Sequence, residues 1–411
     1  IENTIDILGS SANYGFQLRA IEGNVEPFFE ANDSISQINP LDSNFWSQAD
    51  QYVDMIYYND YIIAELWMNN VDWGANYNNI KIYRSNASNY RWRYCLMDLE
   101  YGLLPNHGWI NGANNYDCNF DLLGGYINHQ TVDPGNPHFN VFWRGLQNDR
   151  FRNYFINRFA DQMNTVYMPS RLLAIENSMY NQTLPEMPAH FARWGDPNNV
   201  PAHMNGYLQY HQLFSDELAC RPDNMRNQIQ SNFNLPQQVQ VELDVFPTNG
   251  GEISISTIKP DNYPWNGIYF DGVPIQIEAL AMPGYQFSHW ESNGLITDTL
   301  NAVFLDTLTT AAINFKAHFV STLGIDELKP SVFNIYPNPT SEHLTIKLKE
   351  NIGKINQLSV YDVLGKEYHL DNKQNGTTEY WINVSSLGPG FYLIKCQTDD
   401  SKLYHGEFIK Q

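Results

Sequence analysis

Lysine is almost missing from the first half of this 411-residue chain: residues 1–236 contain Lys81 alone, against twelve arginines. Arg19 is the only basic side chain of either type ahead of Asp72, and Gly9, Gly15 and Gly23 stand apart from one another. That excludes a Walker-type phosphate loop before Asp72, which needs glycines and a lysine in one short turn. Cysteine is scarce too. Cys95, Cys118, Cys220 and Cys396 form no C-x-x-C pair, which excludes a zinc ribbon and argues against a disulfide-built scaffold. Four cysteines allow three pairings, and spacing does not choose among them. Cys95 lies in a strand pattern and reads as a core residue, and Cys396 is the expected free thiol. Basic charge is low overall, 24 Lys+Arg against 45 Asp+Glu for a net −21, which speaks against sequence-independent binding to nucleic acid or anionic membrane. No apolar run reaches the ~18 residues of a membrane-spanning helix. A start methionine and a signal-type apolar segment are also missing, so the sequence reads as the C-terminal piece of a longer protein.

What the sequence has is aromatic and amide side chains, concentrated in residues 65–102. Val53, Ile56, Tyr57, Ile63, Leu66 and Trp67 recur at helical spacing ahead of Asp72. Asn69, Asn70, Gly74, Asn76, Asn78 and Asn79 then break the helix. Two β-type runs follow, 80–84 and 90–97, joined by Ser-Asn-Ala-Ser-Asn, and Asp98 ends the second. Two acids and several amides at the ends of a helix and a strand suit Mg²⁺, which takes hard oxygen ligands and few carboxylates. The order also fits phosphoryl transfer: one Asp facing the acceptor hydroxyl, an Asn on metal, a second Asp after a hairpin. Asp72 to Asn78 is six residues and Asp72 to Asp98 is 26, with no H-R-D and no D-F-G. Spacing alone favours a plain capping turn followed by a hairpin over the metal site.

N-V-D-W-x-x-N-x-N-N-I-K-x-Y-R (70–84) and R-W-R-Y-x-x-x-D-L-E-Y-G (91–102) resemble the core of the CotH kinase family, an atypical protein kinase family. The runs at 137–161, 185–195 and 221–229 resemble its later helices in the same order. The resemblance covers about 1–236 and implies a kinase-like C-lobe that binds ATP and Mg²⁺ or Mn²⁺. It makes Asp72 the catalytic acid, and Asn78 or Asn79 and Asp98 the metal and nucleotide ligands. Glu100 stands where the family has a second Asp, so its place as a metal ligand is an extension of the pattern. The family's N-terminal lobe would precede Ile1, which implies that this piece alone is inactive.

Elsewhere the chain reads more plainly. Residues 1–45 suggest loop and a short helical turn near 25–31, and 108–137 suggest a long irregular insert over the site. His107, His129 and His138 lie in or beside it without metal-ligand spacing, so surface or hydrogen-bonded histidine is the simpler reading. Asn148 or Asp149 caps the next helix, whose stripe Phe151, Tyr154, Phe155, Phe159 and Met163 reads as core. Arg150, Arg152 and Arg158 read as solvated ion-pair partners. Helices are expected from 169 to 181 and from 206 to 233, the latter breaking near Pro222. From 237 alternation replaces helical spacing, and the run 272–294 resembles a bacterial repeat β-domain, with Trp290 as core rather than sugar platform. Residues 321–330 read as a linker. Seven short strands in 331–411 predict a β-sandwich, and Y-P-N-P-T, Y-D-V-L-G-K, L-x-P-G-F-Y and F-I-K resemble the C-terminal sorting domain of type IX (Por) secretion.

The fold class is therefore multidomain, α+β then all-β: kinase-like domain 1–236, β-domain 237–320, linker 321–330 and sorting sandwich 331–411. The expected function is a secreted or surface-attached CotH-like protein of a Gram-negative bacterium, part of a Mg–ATP-dependent protein kinase. Its partners would be the type IX machinery, through 331–411, and a protein substrate, with no nucleic acid. A non-catalytic surface or adhesion protein on the same scaffold is the alternative, and metal-dependent hydrolysis by the same carboxylates is a third reading.

Overall fold

The computed structural model describes residues 3–8, 17–74, 79–85, 90–99, 102–103, 118–298, 301–322, 333–348, 355–375, 378–399 and 403–411. The chain divides into two units, Ile1–Val320 and Ser321–Gln411. The first begins with β1 (Asn3–Leu8), β2 (Gln17–Glu22), α1 (Glu26–Gln37), α2 (Phe45–Ala49), α3 (Met55–Met68), β3 (Ile80–Arg84) and β4 (Arg93–Cys95). Helices α4 (Leu122–His129), α5 (Pro137–Leu146), α6 (Asp149–Met163), α7 (Pro169–Thr183), α8 (Met187–Trp194) and α9 (Val200–Asn232) follow.

Helix α3 starts where Asp54 accepts from the Tyr57 amide (3.3 Å) and Asp50 from the Met55 amide (3.0 Å). Arg91 and Arg93 both reach the Asp54 carboxylate, at 3.1 and 2.8 Å, and so tie the β4 hairpin to that cap. Tyr58, Ile62, Ile63, Leu66 and Trp67 are fully buried along α3. Asn148 caps α6 as expected, accepting from the Phe151 amide at 3.2 Å. Of the arginines read as ion-pair partners, Arg158 pairs with Asp60, Arg152 with Asp149, and Arg150 lies over the Trp46 ring.

The structure corrects four expectations. Residues 1–45 contain two strands, and β1 lies in the four-stranded sheet β2-β1-β3-β4. Its partner β3 is some seventy residues away in sequence, with Ile7 opposite Ile80, so the pairing is nonlocal and no local pattern announces it. The segment 108–137 contains α4, capped by Asp121 through the Gly124 amide (2.9 Å). Pro222 lies inside α9 without ending it: one hydrogen bond is lost, but Leu218, Met225 and Ile229 are buried around it and hold the helix. His138 is fully buried, with neither ring nitrogen partnered among the described residues. It lies among Tyr61, Trp73, Tyr94 and Phe139, and burial pushes its pKa down to about 3.

The unit is completed by β5 (Gln238–Phe246), β6 (Gly251–Ile255), β7 (Trp265–Phe270), β8 (Pro274–Ala281), β9 (Tyr285–Ser292), β10 (Leu295–Asp298), β11 (Val303–Thr307) and β12 (Ala312–Ser321). They form sheets ordered β10-β9-β12-β5-β7 and β11-β8-β6, with Trp290 of β9 fully buried. Strands β5 and β12 pair in parallel, from Ala312 opposite Gln240 to His318 opposite Phe246.

A texture change at 237 suggests a boundary, yet one hydrophobic core runs from Phe28 through Phe155 and Ile229 to Val239 and Phe319. Polar groups on α6 stitch the two parts. Asp161 accepts from Thr257 N (2.9 Å), Thr257 Oγ1 (2.6 Å) and Tyr269 OH (2.6 Å). Asn157 donates to Pro274 O (2.7 Å), and Asn164 bonds both backbone groups of Ile268 (3.0 Å each).

The second unit holds β13 (Phe333–Tyr336), β14 (His343–Leu348), β15 (Ile355–Asp362), β16 (Glu367–Tyr368), β17 (Asn372–Asn375), β18 (Glu379–Asn383), β19 (Gly390–Thr398) and β20 (Leu403–Lys410). Sheets β13-β14-β18-β17 and β16-β15-β19-β20 share a core of their own, centred on Leu344, Ile346, Val360, Ile382, Ile394 and Phe408. Cys396 is free and buried in it.

Candidate active site at the end of helix α3

All four terminal carbonyls of α3 find donors. Asn69, left-handed at φ 54, closes the helix by bonding back to Glu65 O and Leu66 O. Asn70 N donates to Glu65 O (3.2 Å) and Leu103 N to Met68 O (2.6 Å). Arg221, from α9, donates to Leu66 O (2.7 Å) and Trp67 O (3.1 Å). A helix terminus this fully satisfied is a fixed platform for what leaves it.

Asp72 leaves it within four residues. Asn70 holds the turn from both sides: Nδ2 donates to Glu65 Oε2 (2.9 Å) and Oδ1 accepts from Asp72 N (3.3 Å). Glu65 is fully buried, and burial raises its pKa to about 8, against the pull of the Asn70 and Tyr61 hydrogen bonds. Trp73 is buried beneath the turn, its Nε1 donating to Tyr61 OH (2.7 Å) and its carbonyl accepting from Tyr126 OH (2.6 Å). Gly74, at φ +62, must be glycine: a Cβ there would come within 2.5 Å of the Phe139 ring.

Asn79 then returns to Asp72. Its Nδ2 donates to Asp72 O (3.1 Å) and to Asp72 Oδ2 (3.2 Å). With Nδ2 spent on Asp72, the amide directs Oδ1 the other way. Asn79 (φ 54) leads straight into β3. Lys81 pairs with Cys95 across the hairpin, β4 ends there, and Asp98 follows three residues later. Asp98 is exposed, at φ 58. The turn after it closes through Gly102 N to Leu99 O (2.8 Å) and docks on α3 through Leu103 N. Asp72, Asn79 and Asp98 thus sit on elements tied to one helix end. Asn78 and Glu100 lie outside the described residues, as does His107. Glu65, Asn70, Trp73 and Arg221, which build the site from below, were not singled out by spacing: Asn70 reads as a helix breaker, and the α3 contacts of Arg221 are over 150 positions away in sequence.

Residues 12–218, just over half of the chain, match the CotH kinase protein family. The chain belongs to that family. The family match runs from β2 into α9 and contains Asp72, Asn79 and Asp98, ending three residues before Arg221. Residues 334–411 match the secretion system C-terminal sorting domain, which directs the chain to the cell surface or outside through type IX secretion. Among the described residues no helix is long and apolar enough to cross a membrane. The ulvan lyase NLR42 of Nonlabens ulvanivorans is 26% identical over 124 residues, 30% of this chain and 21% of that protein. The chain therefore spans about a fifth of that relative. A variant of BcpA, the major pilin subunit of Bacillus cereus, aligns over 42% of this chain and 69% of its own at 10% identity, with a TM-score of 0.15. That similarity is too low to support an argument.

Proposed function

We propose that this CotH-family protein is an exported phosphotransferase acting on protein hydroxyls, with its site at the end of α3. The observation that carries the reading is the Asn79 amide bonded to both the carbonyl and the carboxylate of Asp72. It holds the acid against the amide that leads into β3, whose partner strand β4 is followed three residues on by Asp98. The donor set of Asp72, Asn79 and Asp98 is all oxygen, which fits Mg²⁺ or Mn²⁺ and not a softer metal. Asp98 and Asn79 Oδ1 would hold it, and its charge would offset that of the ATP phosphates. Asp72 would accept the proton of the acceptor hydroxyl as that oxygen bonds the γ-phosphorus and ADP leaves. Asn79 fixes the direction in which Asp72 presents its oxygen. The sorting domain, a unit with its own core, would be severed from 1–320 on export.

The test is transfer from γ-labelled ATP to a protein acceptor by the full-length protein, with Mn²⁺ binding measured beside it. Asp72→Asn should lower transfer by about 10²–10⁴-fold and leave Mn²⁺ bound. Asp98→Ala should weaken Mn²⁺ binding. Wild-type protein that binds neither Mn²⁺ nor ATP would replace this reading with a non-catalytic surface protein on a kinase-family scaffold.

A further inference from the structure

Arg221 is fully buried, yet its described hydrogen bonds go to no carboxylate. Besides Leu66 O and Trp67 O it donates to Cys118 O (3.2 Å) and Phe120 O (3.3 Å). Four carbonyls from two segments converge on one planar, five-donor group, a task that lysine cannot perform. Burial lowers its pKa to about 10, so the guanidinium stays charged at neutral pH. A cation at the carbonyl end of α3 also complements the helix dipole.

Around Arg221, one face of α9 reads the segment 118–121 at four-residue spacing. Cys220 forms a disulfide with Cys118. Asn224 Nδ2 donates to Cys118 Sγ (2.9 Å), Gln228 Nε2 to Asn119 O and Phe120 O (3.1 Å each), and Asn232 Nδ2 to Asp121 Oδ2 (2.8 Å). Positions 220, 224, 228 and 232 follow one another on a single helical stripe. The covalent bond lies next to Arg221 in sequence, so it fixes one pair of the carbonyls that Arg221 holds against the other pair. The other pair ends the helix from which Asp72 departs.

We propose that Arg221 is a positioning residue for the Asp72 site, and that the Cys118–Cys220 disulfide secures it, so that the site is fully formed only in the oxidised protein. The link to chemistry rests on the phosphotransfer reading above; the brace itself does not. The sorting domain sends the chain out of the cytosol, where thiols are kept reduced. In the envelope, exchange with the disulfide of a thiol oxidoreductase would give the Cys118–Cys220 bond, the oxidoreductase taking two electrons and two protons as a dithiol. The site would then mature in step with export.

The experiment is amide hydrogen exchange on the full chain in three forms: oxidised, reduced with tris(2-carboxyethyl)phosphine, and Arg221→Lys. Mn²⁺ affinity is measured on each. Reduction and Arg221→Lys should each speed exchange at the amides of residues 69–72 by about tenfold or more, and weaken Mn²⁺ binding similarly. Strands β5 and β12 and the sorting domain should be unchanged. Unaltered exchange at 69–72 in the reduced protein would overturn the proposal. So would faster exchange throughout 1–320, since the brace would then serve global stability and not the site. Should Arg221→Lys fail to fold, the reduced wild type decides alone. If exchange responds as expected but the oxidised protein binds neither Mn²⁺ nor ATP, the brace stands and the phosphotransfer reading falls.

Discussion

Two all-β regions of similar length lie in this chain, and they relate to their surroundings in opposite ways. The strands of 237–320 share a core with the helices and are stitched to α6 by Asp161, Asn157 and Asn164. The strands of 333–411 enclose a core of their own. Both begin where the sequence changes from one texture to another, so texture marks a change of secondary structure and not an independent folding unit. In 237–320 the union with the helices is made by buried polar groups on one side that find partners on the other.

The largest effect that tests this contrast is Trp290→Ala. Emptying a fully buried tryptophan site should cost about 3–5 kcal/mol, and the helices should melt with the strands. Far-UV circular dichroism at a helical wavelength, followed in urea together with a fluorescence signal from the strands, checks it. Two separate transitions within 1–320 would break the comparison. Ile346→Val, in the sorting core, should cost about 1 kcal/mol and leave the transition of 1–320 where it was.

Asp161→Ala comes next, at about 3 kcal/mol, since it leaves Thr257 N, Thr257 Oγ1 and Tyr269 OH without their buried acceptor. Denaturant midpoints of 1–320 should fall while the sorting domain is unmoved. If the loss is no larger than that of an exposed Asp→Ala, the stitching is incidental and the shared apolar core alone joins the parts.

Much of this organisation was legible from sequence. Helix α3, the β3–β4 hairpin, the Asn148 cap, the aromatic stripe of α6 and the sorting strands all follow from local pattern. What was not legible depends on partners distant in the chain. Strand β1 is defined by pairing with β3, and the disulfide joins residues 102 positions apart. Strands β16 and β17 are short and polar, without apolar alternation. At the site, Asp72, Asn79 and Asp98 could be named because their types suit metal and phosphate. Glu65, Trp73, His138 and Arg221 lie beneath them and look like ordinary helix or core residues until the fold brings them under the turn.

A divergence with pH is the remaining expected effect. Burial raises Asp161 to about 6 and Glu65 to about 8. Folded 1–320 therefore keeps protons that the unfolded chain releases. The stability from these two groups is complete below about pH 4 and is lost as pH rises through those folded values. In the sorting domain the sign is reversed. The Lys366 amide, with others, lowers the pKa of Asp362, and the Ser359 hydroxyl that of Glu367; their contribution is present above the ordinary carboxylate range and is lost as pH falls. Calorimetry from pH 8 to pH 5 should show the transition of 1–320 gaining on that of the sorting domain. Parallel shifts would show that these four carboxylates do not set the difference.

The parallel pairing of β5 and β12 has a mechanical consequence. The β-sandwich is entered from α9 at the start of β5 and left toward the sorting domain at the end of β12. Pulling on the chain between the helical body and the tail therefore draws these two neighbours past each other lengthwise. Every rung from Ala312–Gln240 to His318–Phe246 carries load at once, where an antiparallel pair pulled from adjacent ends would open one rung at a time. While the sorting domain is still attached and drawn by the export machinery, the pull would meet this shear-loaded clasp before it reached α3.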